Sequence, residues 1–138
     1  MSATAPVVVS ADRVPSNQRR GGDLRVLLSP NTVDATAGFG GVVYLRPGQA
    51  VTEHYHPYSD EFFIVVSGRV RMRINDEPVE LSAGEAVMIT RGSRHRLEHL
   101  DGEPATAAFF LAPLAPRPEI GHVDTEPLPQ PATVAGDR

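Results

Sequence analysis

The chain contains no cysteine. That excludes disulfides, thiolate metal ligands and a cysteine nucleophile. It contains no lysine either, since all 13 basic residues are arginine. Schiff-base chemistry and the lysine of a Walker-type phosphate loop are therefore excluded. No apolar run approaches the ~20 residues that a membrane span needs. The opening segment Met1–Pro6 lacks the basic and apolar regions of a secretory signal, so a cytoplasmic location is expected. No long segment carries a 3.6-residue apolar period, so long helices are not expected. The formal net charge of −4 argues against nucleic acid as the main partner.

What remains is a chain of 138 residues, 41% hydrophobic, long enough for one domain with a real core. Residues 1–22 are polar and irregular and end in Arg19-Arg20-Gly21-Gly22. They read as an N-terminal arm, either loose or docked on a partner subunit. Residues 23–112 read as strand after strand. Val70, Met72 and Ile74 alternate with Arg69, Arg71 and Arg73, giving a half-buried strand with a solvated arginine face. Further short strands are expected at Leu24–Leu28, Gly40–Leu45, Val79–Leu81, Ala86–Ile89, His95–His99 and Ala105–Leu111. Turns are expected at Asn75–Pro78, Ser82–Gly84, Arg91–Ser93 and Asp101–Pro104. Short strands with turns about every 8–12 residues make an all-β sandwich or barrel. From 113 to 138, prolines at 113, 116, 118, 127, 129 and 131 exclude a helix or a central strand. That segment reads as an extended tail, disordered or wrapped on the barrel or on a second protomer.

The chemistry concentrates in four residues. His54 and His56 are two apart, so on a strand both imidazoles project from one face. Pro57–Asp60 is rich in turn formers, and Glu61 opens the next apolar run. His95 follows later in the chain. Imidazoles with a carboxylate suit one divalent ion, with zinc placed first and iron, manganese or nickel as alternatives. Glu61 can serve as ligand or as base. His99 lies four residues after His95, and at ~3.3 Å rise per residue their Cα atoms are about 13 Å apart. It is therefore expected inside the barrel as a catalytic proton shuttle rather than as a ligand. The plainer alternative is a histidine satisfied by a neighbour. By alternation Phe63 points inward with Glu61 and would line the substrate pocket, while Tyr55 points away. Tyr58 is a further candidate for the pocket.

These residues lie in two motifs that resemble those of the cupin superfamily. Gly48, His54, His56, Glu61 and Gly68 match every fixed position of the first cupin motif. Gly84, Gly92 and His95 match the second, where Thr90 replaces a proline and His99 an asparagine. The resemblance implies a single jelly-roll β-barrel with the metal held inside by His54, His56, Glu61 and His95. The segments Arg19–Pro30, His54–Phe62 and Pro113–Glu126 further resemble the single-domain cupin cyclases of bacterial aromatic (type II) polyketide pathways. That resemblance implies a cytoplasmic, dimeric, metal-dependent protein that cyclises or aromatises a poly-β-ketone. Arg69, Arg71, Arg73, Arg91, Arg94 and Arg96 then read either as a solvated face or as a docking surface for an acyl carrier protein. Two competing readings use the same barrel: an iron-dependent oxygenase, and a non-enzymatic binding module.

Overall fold

The computed structural model describes residues 5–129. Residues 130–138, with Pro131, lie outside the described part. Ten strands follow in order: β1 (Asp23–Leu28), β2 (Phe39–Leu45), β3 (Ala50–Tyr55), β4 (Asp60–Ser67), β5 (Arg69–Ile74), β6 (Glu77–Ser82), β7 (Ala86–Ile89), β8 (His95–His99), β9 (Ala105–Ala112) and β10 (Val123–Asp124). A single helical turn at Pro30–Val33 is capped by the Ser29 hydroxyl. The strands form two five-stranded antiparallel sheets, ordered β1-β2-β9-β4-β7 and β10-β3-β8-β5-β6. This is the all-β double sheet that the pattern of short strands predicts. Among the described residues no helix is long and apolar enough to cross a membrane.

The core lies between the sheets. Val43, Leu45, Phe63, Val65, Phe109 and Leu111 come from one inner face, and Val51, Val70, Met72, Leu81 and Leu97 from the other. Each fully buried aliphatic or aromatic side chain contributes about 1.5–3 kcal/mol. Val70 and Met72 are buried while Arg69, Arg71 and Arg73 face outward, as the alternation requires.

Asn75 and Asp76 take φ of 49° and 72°, the left-handed pair of a two-residue hairpin turn. The turn is shorter than Asn75–Pro78. Glu77 and Pro78 already belong to β6, with Pro78 opposite Arg73. β6 is an edge strand, so the missing proline N–H costs the ladder nothing.

Both segments flanking the barrel strands, as far as they are described, close onto the barrel. In the arm, Asn17 pairs with Leu24 through two backbone hydrogen bonds of 2.8 and 3.0 Å, and Arg20 O accepts the Thr52 N–H at 2.9 Å. In the tail, Ser59 Oγ donates to Pro113 O. β10 pairs with β3, setting Val123 against Tyr55 and Asp124 against His54. The front of the proline-rich tail thus becomes an edge strand beside the histidine-bearing strand.

Candidate metal centre

Val51 and His54 both face the space between the sheets, although they are three residues apart. Regular alternation would put them on opposite faces. The register of β3 on β8 explains it: Val51 lies opposite Leu97 and His54 opposite His95, so β3 carries one extra residue in between. That bulge at Thr52–Glu53 re-aims His54 inward. His95 begins β8, directly across from His54, and His56 follows the end of β3. The turn before His95 is fixed to this region, because Gly92 N–H donates to His56 O and Arg91 N–H to Asp60 Oδ1. Glu61 is the first inward residue of β4 and comes from the opposite sheet.

The four side chains meet. The imidazole centroids are 5.0 Å apart for His54 and His56, 4.5 Å for His54 and His95, and 5.2 Å for His56 and His95. One nitrogen from each ring falls within 4.8 Å of the others. Glu61 Oε1 lies 3.1 Å from His56 Nε2 and 3.3 Å from His95 Nε2. His56, Glu61 and His95 are all buried.

The hydrogen bonds around this group settle its tautomers. His54 Nδ1 donates to Thr52 O at 2.8 Å, His56 Nδ1 to Gly121 O at 3.2 Å, and His95 Nδ1 to Ser93 O at 3.0 Å. A carbonyl only accepts, so each proton sits on Nδ1 and each neutral ring turns an Nε2 lone pair inward. His56 Nε2 and His95 Nε2 are buried without a hydrogen bond. Glu61 is close enough to both, but it approaches off the ring N–H direction. Three lone pairs and a carboxylate facing one another repel unless a cation lies between them. The residues therefore fit a divalent metal held by imidazole and carboxylate donors.

Ionisation follows the same logic. Burial, with the neighbouring His95 and His56, holds His54 well below the usual imidazole range. For Glu61 burial works towards neutralisation, but His56 and His95 outweigh it and hold the carboxyl well below the usual carboxylate range. For His95 burial opposes the charge, and the Glu61 carboxylate overcomes it and raises the imidazole. Without a metal, the site's proton belongs on His95 beside Glu61.

The site sits in a mostly apolar cavity of about 90 Å³. Phe63 lines it, as alternation predicts, together with Val43, Met72, Leu97 and Phe109. Asn17, Arg20 and His122 add polar groups. The His122 ring lies 6.4 Å from that of His56, carried by the segment leading into β10. Sequence reasoning placed His122 within a family-like segment and assigned it no role. Its neighbour Gly121, which fixes His56, left no sequence signal, because a backbone carbonyl is common to every residue.

His99 is not brought to this site. It lies at the far end of β8, and its Nε2 donates to Glu103 O at 2.7 Å. This corrects the expectation of a proton shuttle inside the barrel: the long reach along β8 leaves His99 as a histidine satisfied by a neighbour. Tyr55 and Tyr58 are not among the lining residues. The arginine face is matched by acids: Arg69 by Asp101, Arg71 by Glu80, Arg73 by Glu98, Arg94 by Asp76 and Glu53, and Arg96 by Glu98 and Glu126.

Comparison with known proteins shows the family. A family model for the cupin domain matches residues 41–111. The tetracenomycin polyketide synthase protein TcmJ of Streptomyces glaucescens is 48% identical over 132 residues, covering 96% of this chain and 87% of that protein. The polyketide synthase CurC of Streptomyces cyaneus is 48% identical, covering 91% of this chain and 82% of that protein. Protein SchB of Streptomyces halstedii is 49% identical, with 86% of each chain covered. Among solved structures, a predicted oxalate decarboxylase from Thermotoga maritima superposes with a TM-score of 0.67 at 22% identity. That match covers 78% of this chain and all of the other, a likeness of fold. The chain belongs to the cupin family, on the evidence of its domain match and of relatives aligned along most of its length.

Proposed function

We propose that this chain is a metal-dependent polyketide cyclase, promoting aldol-type ring closure of a poly-β-ketone in aromatic polyketide biosynthesis. One observation carries the reading: three Nε2 lone pairs converge beside a buried carboxylate, with each outer nitrogen already committed to a backbone carbonyl. The relatives named as polyketide synthase proteins support the substrate class. A poly-β-ketone carries methylenes between two carbonyls, and these are already acidic. Ring closure then needs a polarised carbonyl and a base.

A divalent ion held by His54, His56, Glu61 and His95 would supply Lewis acidity towards a carbonyl oxygen. The remaining tasks fall to the chain itself. The apolar wall around Phe63 and Phe109 excludes water and strengthens every electrostatic interaction inside. Glu61 acts as ligand rather than base, because His56 and His95 beside it lower its affinity for a proton. His122 also lines the cavity, and we assign its imidazole the role of taking the methylene proton.

The test is anaerobic reconstitution with a minimal polyketide synthase, comparing wild type with His54→Ala and reading the ring pattern of the product. The reading expects the wild type to impose one ring pattern without oxygen, and His54→Ala to give the unguided mixture. Cyclisation that proceeds only with oxygen uptake would overturn it, as would the same product from both proteins.

A further inference from the structure

We infer that Arg20 makes an anion-binding site on the wall of the cavity, where it takes the enolate oxygen of a β-dicarbonyl ligand. The ligand class rests on the cyclase reading above. The site itself rests on how Arg20 is held.

The Arg19-Arg20-Gly21-Gly22 end of the arm fixes one side chain in place. Arg20 O accepts the Thr52 N–H at 2.9 Å, which ties it to the bulge in β3. Gly21 follows with φ of 100°, and its N–H donates to Gln18 O at 3.0 Å. A Cβ on Gly21 would sit 1.9 Å from Ala50 O, so no larger residue fits this close approach to β3. The backbone at Arg20 is therefore held from both sides. Its side chain turns into the molecule and is only 12% exposed. There it lines the cavity that holds His54, His56, Glu61 and His95.

The guanidinium has capacity to spare. An arginine carries five N–H groups in a planar fork. Asp124 accepts from Nε at 2.6 Å and from Nη2 at 3.3 Å, both along one side of the plane. Nη1 has no hydrogen bond among the described residues. Asp124 thus sets the orientation of the guanidinium without filling it. The end of the fork remains, the edge that pairs with two oxygens or with one anionic oxygen. Asp124 is also 29% exposed, so solvent weakens its opposing charge, whereas Arg20 looks onto a wall that includes Val43, Phe63 and Phe109. A cation set in an apolar wall selects an anionic oxygen carried on an apolar body. The enolate of a β-dicarbonyl has this form, because its charge is spread over two oxygens with a hydrocarbon frame behind them. A guanidinium attracts that enolate more than the parent ketone, so the site both orients the β-dicarbonyl and favours its ionised form. Arg20 acts here by binding and positioning and moves no proton.

Titration of the full chain with 1,3-cyclopentanedione, followed by NMR, tests this. That compact dione is an enolate at neutral pH, and cyclopentanone is its uncharged counterpart. The proteins are wild type, Arg20→Met and Arg20→Lys, matched in metal content, with circular dichroism to check that each variant folds. The wild type is expected to bind the dione at least about tenfold more tightly than the ketone, the effect of one charge-assisted hydrogen bond. Arg20→Met is expected to lose that preference. Arg20→Lys is expected to keep part of it, since lysine restores the charge without the fork. A general loosening of the fold would weaken both ligands together, so the ratio of the two affinities reads the guanidinium. A wild type without the preference, or an Arg20→Met chain that keeps all of it, would overturn the proposal. The reconstitution described above fails or succeeds separately. A chain that binds the dione through Arg20 yet directs no ring closure keeps the anion site and loses the cyclase reading. One that directs ring closure without preferring the dione keeps that reading and loses the site.

Discussion

Residues 121–126 brace the candidate metal centre from outside, and that arrangement can be broken without touching a single proposed donor. The perturbation is the double substitution Asp124→Asn, Glu126→Gln. Asp124 accepts two N–H groups of Arg20, at 2.6 and 3.3 Å. Glu126 accepts the Arg96 guanidinium at 2.9 Å and the Glu53 N–H at 2.6 Å. Charged hydrogen bonds contribute about 1.5–3 kcal/mol each when buried. The carboxylates here are 29% and 30% exposed, which discounts each pair to about 1–2 kcal/mol. The double variant therefore loses about 2–4 kcal/mol of attachment. What is left is the two-residue β10, the Thr125 N–H and hydroxyl on Glu53, and the His56 bond to Gly121, and the segment is expected to lift more often. Once it lifts, Gly121 O leaves His56 Nδ1 and the imidazole loses its fixed orientation. Losing such a partner lowers metal affinity by about 10–100-fold. The assay is a competition titration of the full chain against a zinc-binding dye, with His54→Ala as the reference for complete loss. The metal-free melting temperature should fall by roughly 3 °C per kcal/mol removed. A lower melting temperature with unchanged affinity would refute the reasoning and leave the segment a purely structural strap.

Three further outcomes follow from the site. Glu61→Gln should lower metal affinity by at least about a hundredfold, as loss of a charged donor requires; full metal retention with lost turnover would make Glu61 the base instead. His122→Gln should retain metal and lose most turnover, measured as metal content beside ring closure, and wild-type turnover would remove His122 from the chemistry. Metal affinity should depend on pH through His95, whose raised proton affinity makes a proton compete with the ion. Below that imidazole's raised pKa affinity should fall about tenfold per pH unit, and above it level off. His54, held low, should not add to the slope. A profile that stays flat through this range would show that His95 carries no competing proton.

Much of the barrel was legible because period-2 alternation and turn residues mark strands directly. The Val70-Met72-Ile74 strand and the His54, His56, Glu61 and His95 set are the clearest cases. The features that escaped were those set by register and tertiary position. The Thr52–Glu53 bulge decides where His54 points, yet an extra residue in a ladder leaves no composition signal. The Gly121 carbonyl and β10 matter through where the tail lands, which prolines do not reveal. His99 was misplaced because facing the same way as His95 says nothing about distance from the cavity. Within Phe62–Val66, both faces are apolar, so no alternation could show that one of them looks outward.

On the reading proposed above, His54, His56, Glu61 and His95 together hold one divalent ion. The most direct measurement is elemental analysis of the purified full chain, loaded with metal and freed of excess, beside His54→Ala and His95→Ala. One ion per chain is expected in the wild type and almost none in either variant. A wild type that retains no ion, or variants that retain as much as the wild type, would contradict it.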